Sequence, residues 1–164
     1  MIRILFVCMG NICRSPLSQG VFERAVRREG LDAEIEADSA GTHGFYHEGQ
    51  APDPRAQRSA ARRGIDLSSQ RARRLSPEDC RSFDYILTMD EENYQKVAAL
   101  CREAHHDGRG AEVRPFLDYA PERPEREVPD PYYGELDGFE LSMDLAEAAS
   151  EGLLKDIREK RLGG

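Results

Sequence analysis

Long apolar runs are absent from this sequence. The first apolar stretch, residues 2–7, is too short for a signal peptide and contains Arg3. No run reaches the length that a membrane-spanning helix needs. We therefore expect a cytoplasmic protein without membrane insertion, whose 164 residues form a single domain (1–164) with a core of its own.

A surplus of positive charge is absent too. The formal net charge is -8 at pH 7, which argues against a nucleic-acid-binding protein, because such proteins neutralise many phosphates at once. A single phosphate site needs only a local positive field and is not excluded. The cysteines, at positions 8, 13, 80 and 101, match no zinc-ligand spacing, and we expect them to be mostly reduced. The sequence predicts neither a metal nor another cofactor.

The beginning of the chain predicts a strand, a short loop and a helix. Residues 2–7 are apolar at nearly every position, which is typical of a strand buried on both faces in a parallel sheet. Pro16 fits the first position of a helix, and apolar residues then recur at helical spacing as far as Gly30. We expect a helix over residues 16–29, with the glycine directly after its end.

The loop between this strand and helix carries residues suited to phosphate chemistry. A loop that closes onto a helix N-terminus points backbone N–H groups inward, where they can bind an oxyanion. Gly10 and Asn11 tolerate the positive φ of a tight loop. The N–H dipoles and Arg14 favour the thiolate form of Cys8, and the planar guanidinium can hold two phosphate oxygens. Ser15 is placed to hydrogen-bond the sulfur. No Gly-Lys-Ser/Thr follows, which excludes a Walker A loop.

Residues 8–16, Cys-Met-Gly-Asn-Ile-Cys-Arg-Ser-Pro, resemble the signature of the low-molecular-weight protein tyrosine phosphatases. Asp-Pro-Tyr-Tyr at 130–133 resembles the second signature of that family. The resemblance implies hydrolysis of phosphotyrosine and aryl phosphates through a cysteinyl-phosphate, without a cofactor. Cys8 would be the nucleophile, Arg14 would bind the phosphate and Asp130 would be the general acid and base. A phosphotyrosine-containing protein is the implied partner, and with it a tyrosine kinase.

The resemblance also implies supporting roles. Asn11 and Ser39 would keep the loop in shape, and Cys13 would either form a reversible disulfide with Cys8 or be a passive loop cysteine. Either Phe45 or Tyr46 would form an aromatic wall, because the loop that contains them is slightly longer than the family pattern. The residues implied to bind the phosphate or line the mouth of the site are Met9, Gly10, Asn11, Ile12, Cys13, Ser15, Phe45, Tyr46, Tyr132 and Tyr133.

Three more strands are expected, each after a helical segment. Because the loops after parallel strands emerge at one edge of a sheet, Ser39, Asp90 and Asp130 should lie near Cys8. We interpret Asp90 first as a helix cap. Alternating apolar residues predict an edge position for the second strand, and Pro115 predicts the same for the fourth. The fold class is therefore α/β, with three layers: a four-stranded parallel sheet, helices on both faces, and a phosphate-binding loop after strand one. The strands are expected at 33–38, 83–89 and 113–117.

Three other functions are open at this point. Protein-arginine phosphatases are similar to this chain but carry Thr in place of Ile12, which favours phosphotyrosine as the substrate. Thioredoxin-coupled arsenate reductases have a similar loop but need further cysteines to relay a disulfide, and Cys80 and Cys101 are far apart in the sequence. A non-catalytic phosphate-binding module would be expected to lack the nucleophile or the acid, whereas both Cys8 and Asp130 are present.

Overall fold

The computed structural model describes residues 1–43, 46–104, 110–131 and 136–163. Over these residues strands alternate with helices, as parallel strand pairing requires. None of the helices in the described ranges combines the length and the hydrophobicity needed to cross a membrane. The elements are β1 (Ile2–Cys8), α1 (Arg14–Arg28), β2 (Ile35–Gly41), α2 (Pro54–Arg62), α3 (Asp79–Ser82), β3 (Tyr85–Thr88), α4 (Glu91–Ala104), β4 (Glu112–Pro115), a 3₁₀ helix (Phe116–Tyr119) and α5 (Leu136–Arg161).

The four strands form one parallel sheet in the order β2-β1-β3-β4. β1 is central, and its pairing with β2 runs from Ile2 opposite Ile35 to Cys8 opposite Gly41. β2 and β4 lie at the two edges, as the alternation in one and Pro115 in the other predict. The carboxyl end of β1 therefore lies between β2 and β3, and the segment that follows β1 is anchored to the centre of the sheet.

Both faces of the sheet are covered by helices, so the predicted three-layer α/β fold is confirmed. Ile4 and Phe6 of β1 belong to the core shared with α1 and α5, and Leu5 and Val7 belong to the core shared with α3 and α4. All four side chains are fully buried. Alternate residues of a strand face opposite sides, so a central strand covered on both sides is apolar throughout.

Two predicted boundaries differ from the structure. α1 begins at Arg14, two residues before the predicted start, because the Leu17 N–H already donates to the Cys13 carbonyl at 3.1 Å. Pro16 is tolerated inside the first turn, where backbone N–H groups have no helical partner. β2 also extends further than expected, so Ser39 lies within the strand and not in the loop after it.

The expectation of reduced cysteines is wrong for one pair. Cys80 in α3 and Cys101 in α4 form a disulfide, with their Cα atoms 5.3 Å apart. They are separated by 21 positions in the sequence, and they meet because both helices pack on the same face of the sheet. Cys8 and Cys13 are free thiols in the opposite core.

Removing the Cys80–Cys101 disulfide is expected to lower the free energy of unfolding by about 3 kcal/mol, because the bond closes a loop of roughly 20 residues in the unfolded chain. For a chain of this size the loss corresponds to a fall in Tm of about 6–12 °C. Thermal unfolding of a Cys80→Ala/Cys101→Ala variant measures it. A reductant should lower the Tm of wild type to that of the variant and leave the Tm of the variant unchanged. If neither the reductant nor the double substitution lowers the Tm, the prediction is wrong.

The N-terminus of α2 is capped by Asp53, whose carboxylate accepts the Arg55 N–H at 2.8 Å. Burial raises the pKa of Asp53, but hydrogen bonds from the side chain and backbone of Arg55 lower it by more, so the net shift is downward. A depressed native pKa means that ionised Asp53 stabilises the fold above the usual pKa of an aspartate. This contribution disappears as the pH falls through the lower, native value.

We expect Asp53→Ala to reduce the free energy of unfolding by about 1 kcal/mol at pH 7, the typical value of an N-cap. The deficit should shrink at acidic pH, once the pH falls below the lowered native pKa of Asp53 and the wild-type carboxylate is protonated as well. Urea unfolding at both pH values tests this, with Asp53→Asn as the control that keeps a cap oxygen. A deficit that does not depend on pH would argue that the cap, and not its charge, carries the effect.

Candidate active site

Residues 8–15, which we call the β1–α1 loop, include the end of β1 and the first residues of α1. Three backbone carbonyl groups of this loop point outward and accept hydrogen bonds from later parts of the chain. In a trans peptide the next N–H points the opposite way, and the described residues contain no cis peptide bond. The N–H groups of Met9, Gly10 and Cys13 therefore face the concave side of the loop. The three outward bonds run from Thr42 N–H to Cys8 O (2.9 Å), from His43 N–H to Met9 O (2.8 Å) and from Asp53 N–H to Ile12 O (2.8 Å).

Asn11 holds the loop together from inside. Its N–H donates to Cys8 Sγ at 3.3 Å, and its side-chain Nδ2 donates to Ser15 Oγ and Ser39 Oγ, both at 2.9 Å. Its Oδ1 accepts the Arg73 N–H at 2.9 Å. Asn11 is 2 % exposed, so these bonds satisfy a polar group that has little access to water. The geometry brings Asn11 and Ser39 together as predicted.

The two residues expected to have positive φ differ in the structure. Asn11 has a φ of 59°, whereas Gly10 is not among the residues with positive φ. At Gly10 the constraint is space instead, because a Cβ at this position would lie 3.1 Å from His47 Cδ2 and the histidine ring would have to shift by a few tenths of an ångström. Gly41, at the end of β2, has a similar constraint, since a Cβ there would lie 2.6 Å from the Met9 carbonyl oxygen.

Cys8 lies at the end of β1, beneath the N-terminus of α1. Its side chain is almost fully buried, and Sγ is 3.1 Å from Ser15 Oγ. Together with the Asn11 N–H, this hydroxyl gives the sulfur two hydrogen-bonding partners. The positive end of the helix dipole adds to them.

Arg14 joins the loop to two later segments of the chain. Its Nη1 donates to Asp90 Oδ2 at 2.7 Å and to the Val128 carbonyl at 3.2 Å, and its Nη2 lies 3.5 Å from Asp130 Oδ2. The residue is 3 % exposed. Burial lowers the pKa of the Arg14 guanidinium, but Cys8, Asp90 and Asp130 together raise it by more. Arg14 is therefore a buried, permanently charged cation next to the sulfur.

A cavity of about 390 Å³ opens on the concave side of the β1–α1 loop. It brings together the three residues expected to do chemistry, Cys8, Arg14 and Asp130, although more than a hundred positions separate the first from the last. Of the expected wall residues, Tyr46 lines it, whereas Phe45, Tyr132 and Tyr133 lie outside the described residues. Among the described residues, the lining consists of Cys8, Met9, Gly10, Ile12, Cys13, Arg14, His43, Tyr46, His47 and Asp130.

Comparison with protein families identifies the family to which this chain belongs. Residues 3–162 match the family described as low molecular weight phosphotyrosine protein phosphatase. This chain belongs to that family. The match covers β1, the β1–α1 loop and the Asp130 segment, so the whole cavity lies within it.

Individual members of the phosphatase family are similar over nearly their full length. A low molecular weight protein-tyrosine-phosphatase of Streptomyces coelicolor is 41 % identical over 160 residues, which are 96 % of this chain and 94 % of that protein. The crystal structure of a protein tyrosine phosphatase from Entamoeba histolytica has a TM-score of 0.89 at 35 % identity and covers 97 % of this chain and 98 % of its own. The Drosophila arginine phosphatase structure also has a TM-score of 0.89, at 25 % identity, with 97 % and 99 % covered.

In this low molecular weight phosphatase, Asp90 does more than the sequence indicates. It is a helix cap, as predicted, because its Oδ1 accepts the Asn93 N–H at 2.8 Å. Its other oxygen holds Arg14 at 2.7 Å. Acidic residues at the start of α4 predict a helix cap and nothing more. The contact with Arg14 could have been indicated only by the position of Asp90 directly after a parallel strand.

Two histidines of the cavity wall were not anticipated from the sequence of this phosphatase. His43 Nδ1 lies 3.1 Å from Thr42 Oγ1, and its Nε2 lies 3.1 Å from Lys96 Nζ. Because an ammonium group only donates, Nε2 must accept, which leaves the hydrogen of a neutral ring on Nδ1. His47 lies against Gly10. A histidine in a glycine-rich loop has no sequence pattern that marks it as a wall residue.

Cys13, the second thiol of the phosphatase loop, is buried and lines the same cavity. Burial raises the pKa of the Cys13 thiol strongly, and the carboxylates of Asp53 and Asp130 and the neighbouring Cys8 raise it further. Cys13 is therefore a protonated thiol at neutral pH. The two cysteines of one loop differ in chemistry because only Cys8 receives the hydrogen bonds of Asn11 and Ser15.

Proposed function

We propose that this protein hydrolyses phosphotyrosine through a cysteinyl-phosphate intermediate, with Cys8 as nucleophile, Arg14 binding the phosphate and Asp130 as general acid and base. The observation that carries the proposal is the shared cavity of these three side chains, in which Arg14 Nη2 is 3.5 Å from Asp130 Oδ2 and both line the space above the Cys8 thiol. Family membership supports the same reading.

In the first step the Cys8 thiolate attacks phosphorus in line with the ester oxygen. A sulfur–phosphorus bond forms, the bond from phosphorus to the tyrosine oxygen breaks, and Asp130 gives its proton to that oxygen. The three equatorial oxygens bind the inward N–H groups of Met9, Gly10 and the rest of the loop. Arg14 holds two of these oxygens in its planar fork.

In the second step a water molecule replaces the sulfur. Asp130, now ionised, takes a proton from the water as its oxygen attacks phosphorus, and the sulfur–phosphorus bond breaks. Inorganic phosphate and the Cys8 thiolate are the products. Ser15 Oγ, 3.1 Å from Sγ, stabilises the departing sulfur by a hydrogen bond.

The charge of the transferring group is balanced by fixed groups of the chain. The buried guanidinium of Arg14 and the N–H groups of the β1–α1 loop are already oriented before substrate binds. Such preorganised groups lower the free energy of the transition state most, because they need no reorganisation during the reaction. Among the described residues, no cluster of His, Cys, Asp and Glu has the arrangement of a metal site.

The mouth of the cavity suits an aromatic phosphate ester. Ile12 and Tyr46 line it with apolar surface, and we propose Tyr132 and Tyr133 as further residues of this wall. A flat ring between such walls places its phosphate at the bottom of the cavity. The proposed partners are therefore phosphotyrosine-containing proteins of the cytoplasm, together with the tyrosine kinase that modifies them.

Phosphoarginine is the second candidate substrate, because a structure named an arginine phosphatase superimposes with a TM-score of 0.89. Ile12 argues against it: an apolar side chain in the wall offers no hydrogen bond to a guanidinium. Peptides of one sequence carrying phosphotyrosine or phosphoarginine separate the two, by kcat/KM with EDTA present. We expect wild type to prefer phosphotyrosine and Ile12→Thr to shift the ratio toward phosphoarginine. A wild type that prefers phosphoarginine would refute the proposed substrate.

The arsenate reductase alternative has to be weighed again, because a bonded cysteine pair exists. Cys80 and Cys101 lie in the core that contains Leu5 and Val7, whereas Cys8 lies in the core on the other face. The sheet therefore separates the pair from the proposed nucleophile, and a disulfide relay would have to cross it. We expect no thioredoxin-dependent reduction of arsenate, which a coupled assay measures directly.

A reversible disulfide between Cys8 and Cys13 stays a proposal. Its support is that both thiols are free and line one cavity. Oxidation of Cys8 by peroxide to a sulfenic acid, followed by condensation with the Cys13 thiol and loss of water, would protect the nucleophile. Recovery of activity by a thiol reductant after peroxide should then be smaller for Cys13→Ser than for wild type.

A further inference from the structure

Arg73 lies outside the cavity lining but contacts the loop beneath it. Its main-chain N–H donates to Asn11 Oδ1 at 2.9 Å, while Asn11 Nδ2 donates to Ser15 Oγ and Ser39 Oγ. Of these three partners of the Asn11 amide, two are hydroxyl groups and one is an N–H. The sequence around Arg73 shows only an arginine-rich segment, and the proposed mechanism assigns it no part.

The Arg73 N–H decides which way the Asn11 amide faces. A hydroxyl donates or accepts, so the two serines fit either orientation, whereas a main-chain N–H only donates and has to meet Oδ1. With Oδ1 turned to Arg73, Nδ2 points to Ser15, whose oxygen accepts. The hydrogen of Ser15 is then left for Cys8 Sγ, 3.1 Å away. A hydrogen bond to the charged form of a group favours that form.

The guanidinium of Arg73 is bound by two carboxylates, those of Asp79 and Asp38. Two N–H groups pair with the two oxygens of Asp79 at 3.0 and 3.1 Å, and the group also reaches Asp38 at 3.1 Å. Asp79 is 6 % exposed and also accepts the Ser76 N–H at 2.8 Å. Asp38 precedes Ser39 in β2. Burial lowers the pKa of Arg73, but Asp79 and Asp38 raise it by more, so the ion pairs stay intact.

We propose that Arg73 and Asp79 are positioning residues for the reaction at Cys8. Their two-pronged ion pair holds the Arg73 N–H against Asn11, and this contact keeps the Ser15 hydroxyl directed at the sulfur. Neither residue touches the substrate. The proposal rests on the proposed function in one respect, that Cys8 is the nucleophile.

Three conservative variants test this role: Arg73→Gln, Arg73→Lys and Asp79→Asn. Each removes the two-pronged contact and so loosens the segment that carries the Arg73 N–H. Remaining anchors of this segment include the backbone bonds from Gly41 N–H to Arg73 O and from Leu75 N–H to Gly41 O, both at 2.9 Å. We expect kcat/KM for an aryl phosphate to fall about tenfold to a hundredfold, the scale of small displacements around a reacting atom. We also expect the acid limb of the kcat/KM profile to move to higher pH, because the Cys8 thiolate loses the Ser15 hydrogen bond.

A purely electrostatic influence of these residues predicts a different pattern. Arg73→Gln removes a positive charge and Asp79→Asn removes a negative one, so a charge effect on the thiolate would shift the acid limb in opposite directions. Arg73→Lys would then resemble wild type. The positioning role predicts shifts in the same direction for all three variants, because a lysine keeps the charge without the planar fork.

The ionisation of Cys8 is followed separately by its alkylation with iodoacetamide as a function of pH. The Cys8→Ser variant supplies the background from other thiols. The described titratable and polar groups around Cys8 remain in the three variants, so a shift is assigned to the Asn11–Ser15 contact. These groups are Arg14 and Ser15 of α1, Cys13 of the loop, His43, Tyr46 and His47 after β2, Asp90 before α4 and Asp130 after the 3₁₀ helix. Arg71→Gln is the matched control and should match wild type, since within the described part of the chain the exposed Arg71 bonds only to the Ser68 and Gln70 carbonyls.

Shifts in the same direction in both the kinetic and the alkylation profiles would support the proposal. Variants that unfold at lower temperature while both pH profiles stay in place would reduce Arg73 and Asp79 to structural residues and overturn it. Opposite shifts for Arg73→Gln and Asp79→Asn would overturn it as well. Failure of the proposed function looks different: Cys8→Ser would retain turnover, and the alkylation profiles would still report on the Asn11–Ser15 contact.

Discussion

Replacing Cys8 with serine is expected to abolish the hydrolysis of aryl phosphates, with a loss of at least about four orders of magnitude in kcat. Serine has the same shape, but its hydroxyl stays protonated under the conditions that give a thiolate, and it cannot displace the leaving group at a useful rate. Binding of inorganic phosphate should survive, because the inward N–H groups and Arg14 are unchanged. Steady-state kinetics and isothermal titration with phosphate measure the two quantities.

The retained phosphate binding is the control for folding in this experiment. A variant that has lost both turnover and phosphate binding has lost the shape of the β1–α1 loop, and Cys8→Ala would then be used in its place. Turnover that stays within about tenfold of wild type would mean that another group attacks phosphorus, and the covalent mechanism would be wrong.

Asp130→Asn is expected to lower kcat/KM by about two to three orders of magnitude for esters with poor leaving groups. Asparagine fills the same space but has no proton to give to the leaving oxygen. Esters whose leaving groups are stable as anions need that proton less, so their loss in kcat/KM should be much smaller. A series of substituted phenyl phosphates, plotted as log kcat/KM against the pKa of the phenol, should be steeper for the variant than for wild type, because kcat/KM reports the step that releases the phenol.

Asp118→Asn is the matched control for Asp130. This aspartate is exposed on the 3₁₀ helix and does not line the cavity, so the same chemical change should leave kcat/KM and its dependence on the leaving group unaltered. If Asp130→Asn slows good and poor leaving groups equally, Asp130 does not protonate the leaving oxygen. Its contact with Arg14 would then be the role left to it.

The convergence of Cys8, Arg14 and Asp130, the side chains proposed to carry out the reaction, was predictable because it follows from topology. Once β1 reads as a doubly buried strand, the sheet must be parallel, and the segments after its strands meet at one edge. Cys8 and Asp130 meet for that reason, although Asp130 follows the 3₁₀ helix and not β4 directly. Ser39 was expected in the loop after the second strand, at the edge of the sheet where Cys8 lies. It lies near Cys8, but its position is inside β2 and not in the loop.

The contacts that were not predicted all depend on how separate elements pack. Cys80 and Cys101 pair because α3 and α4 share one face of the sheet, and Asp90 reaches Arg14 because α4 starts beside the loop. Arg73 is identified only by the distance from its N–H to Asn11. Local propensity and residue spacing contain no information on such distances, which arise when the core is assembled.

The central position of β1 has a consequence for how this enzyme fails when heated. A strand with hydrogen-bonded neighbours on both sides and fully buried side chains exchanges its amide hydrogens only when the entire molecule opens. The Cys8 sulfur lies on the last residue of that strand, so the element that carries it does not fray independently. Thermal inactivation and calorimetric melting should therefore share one midpoint, and the exchange rates at Phe6 and Val7 should report global stability.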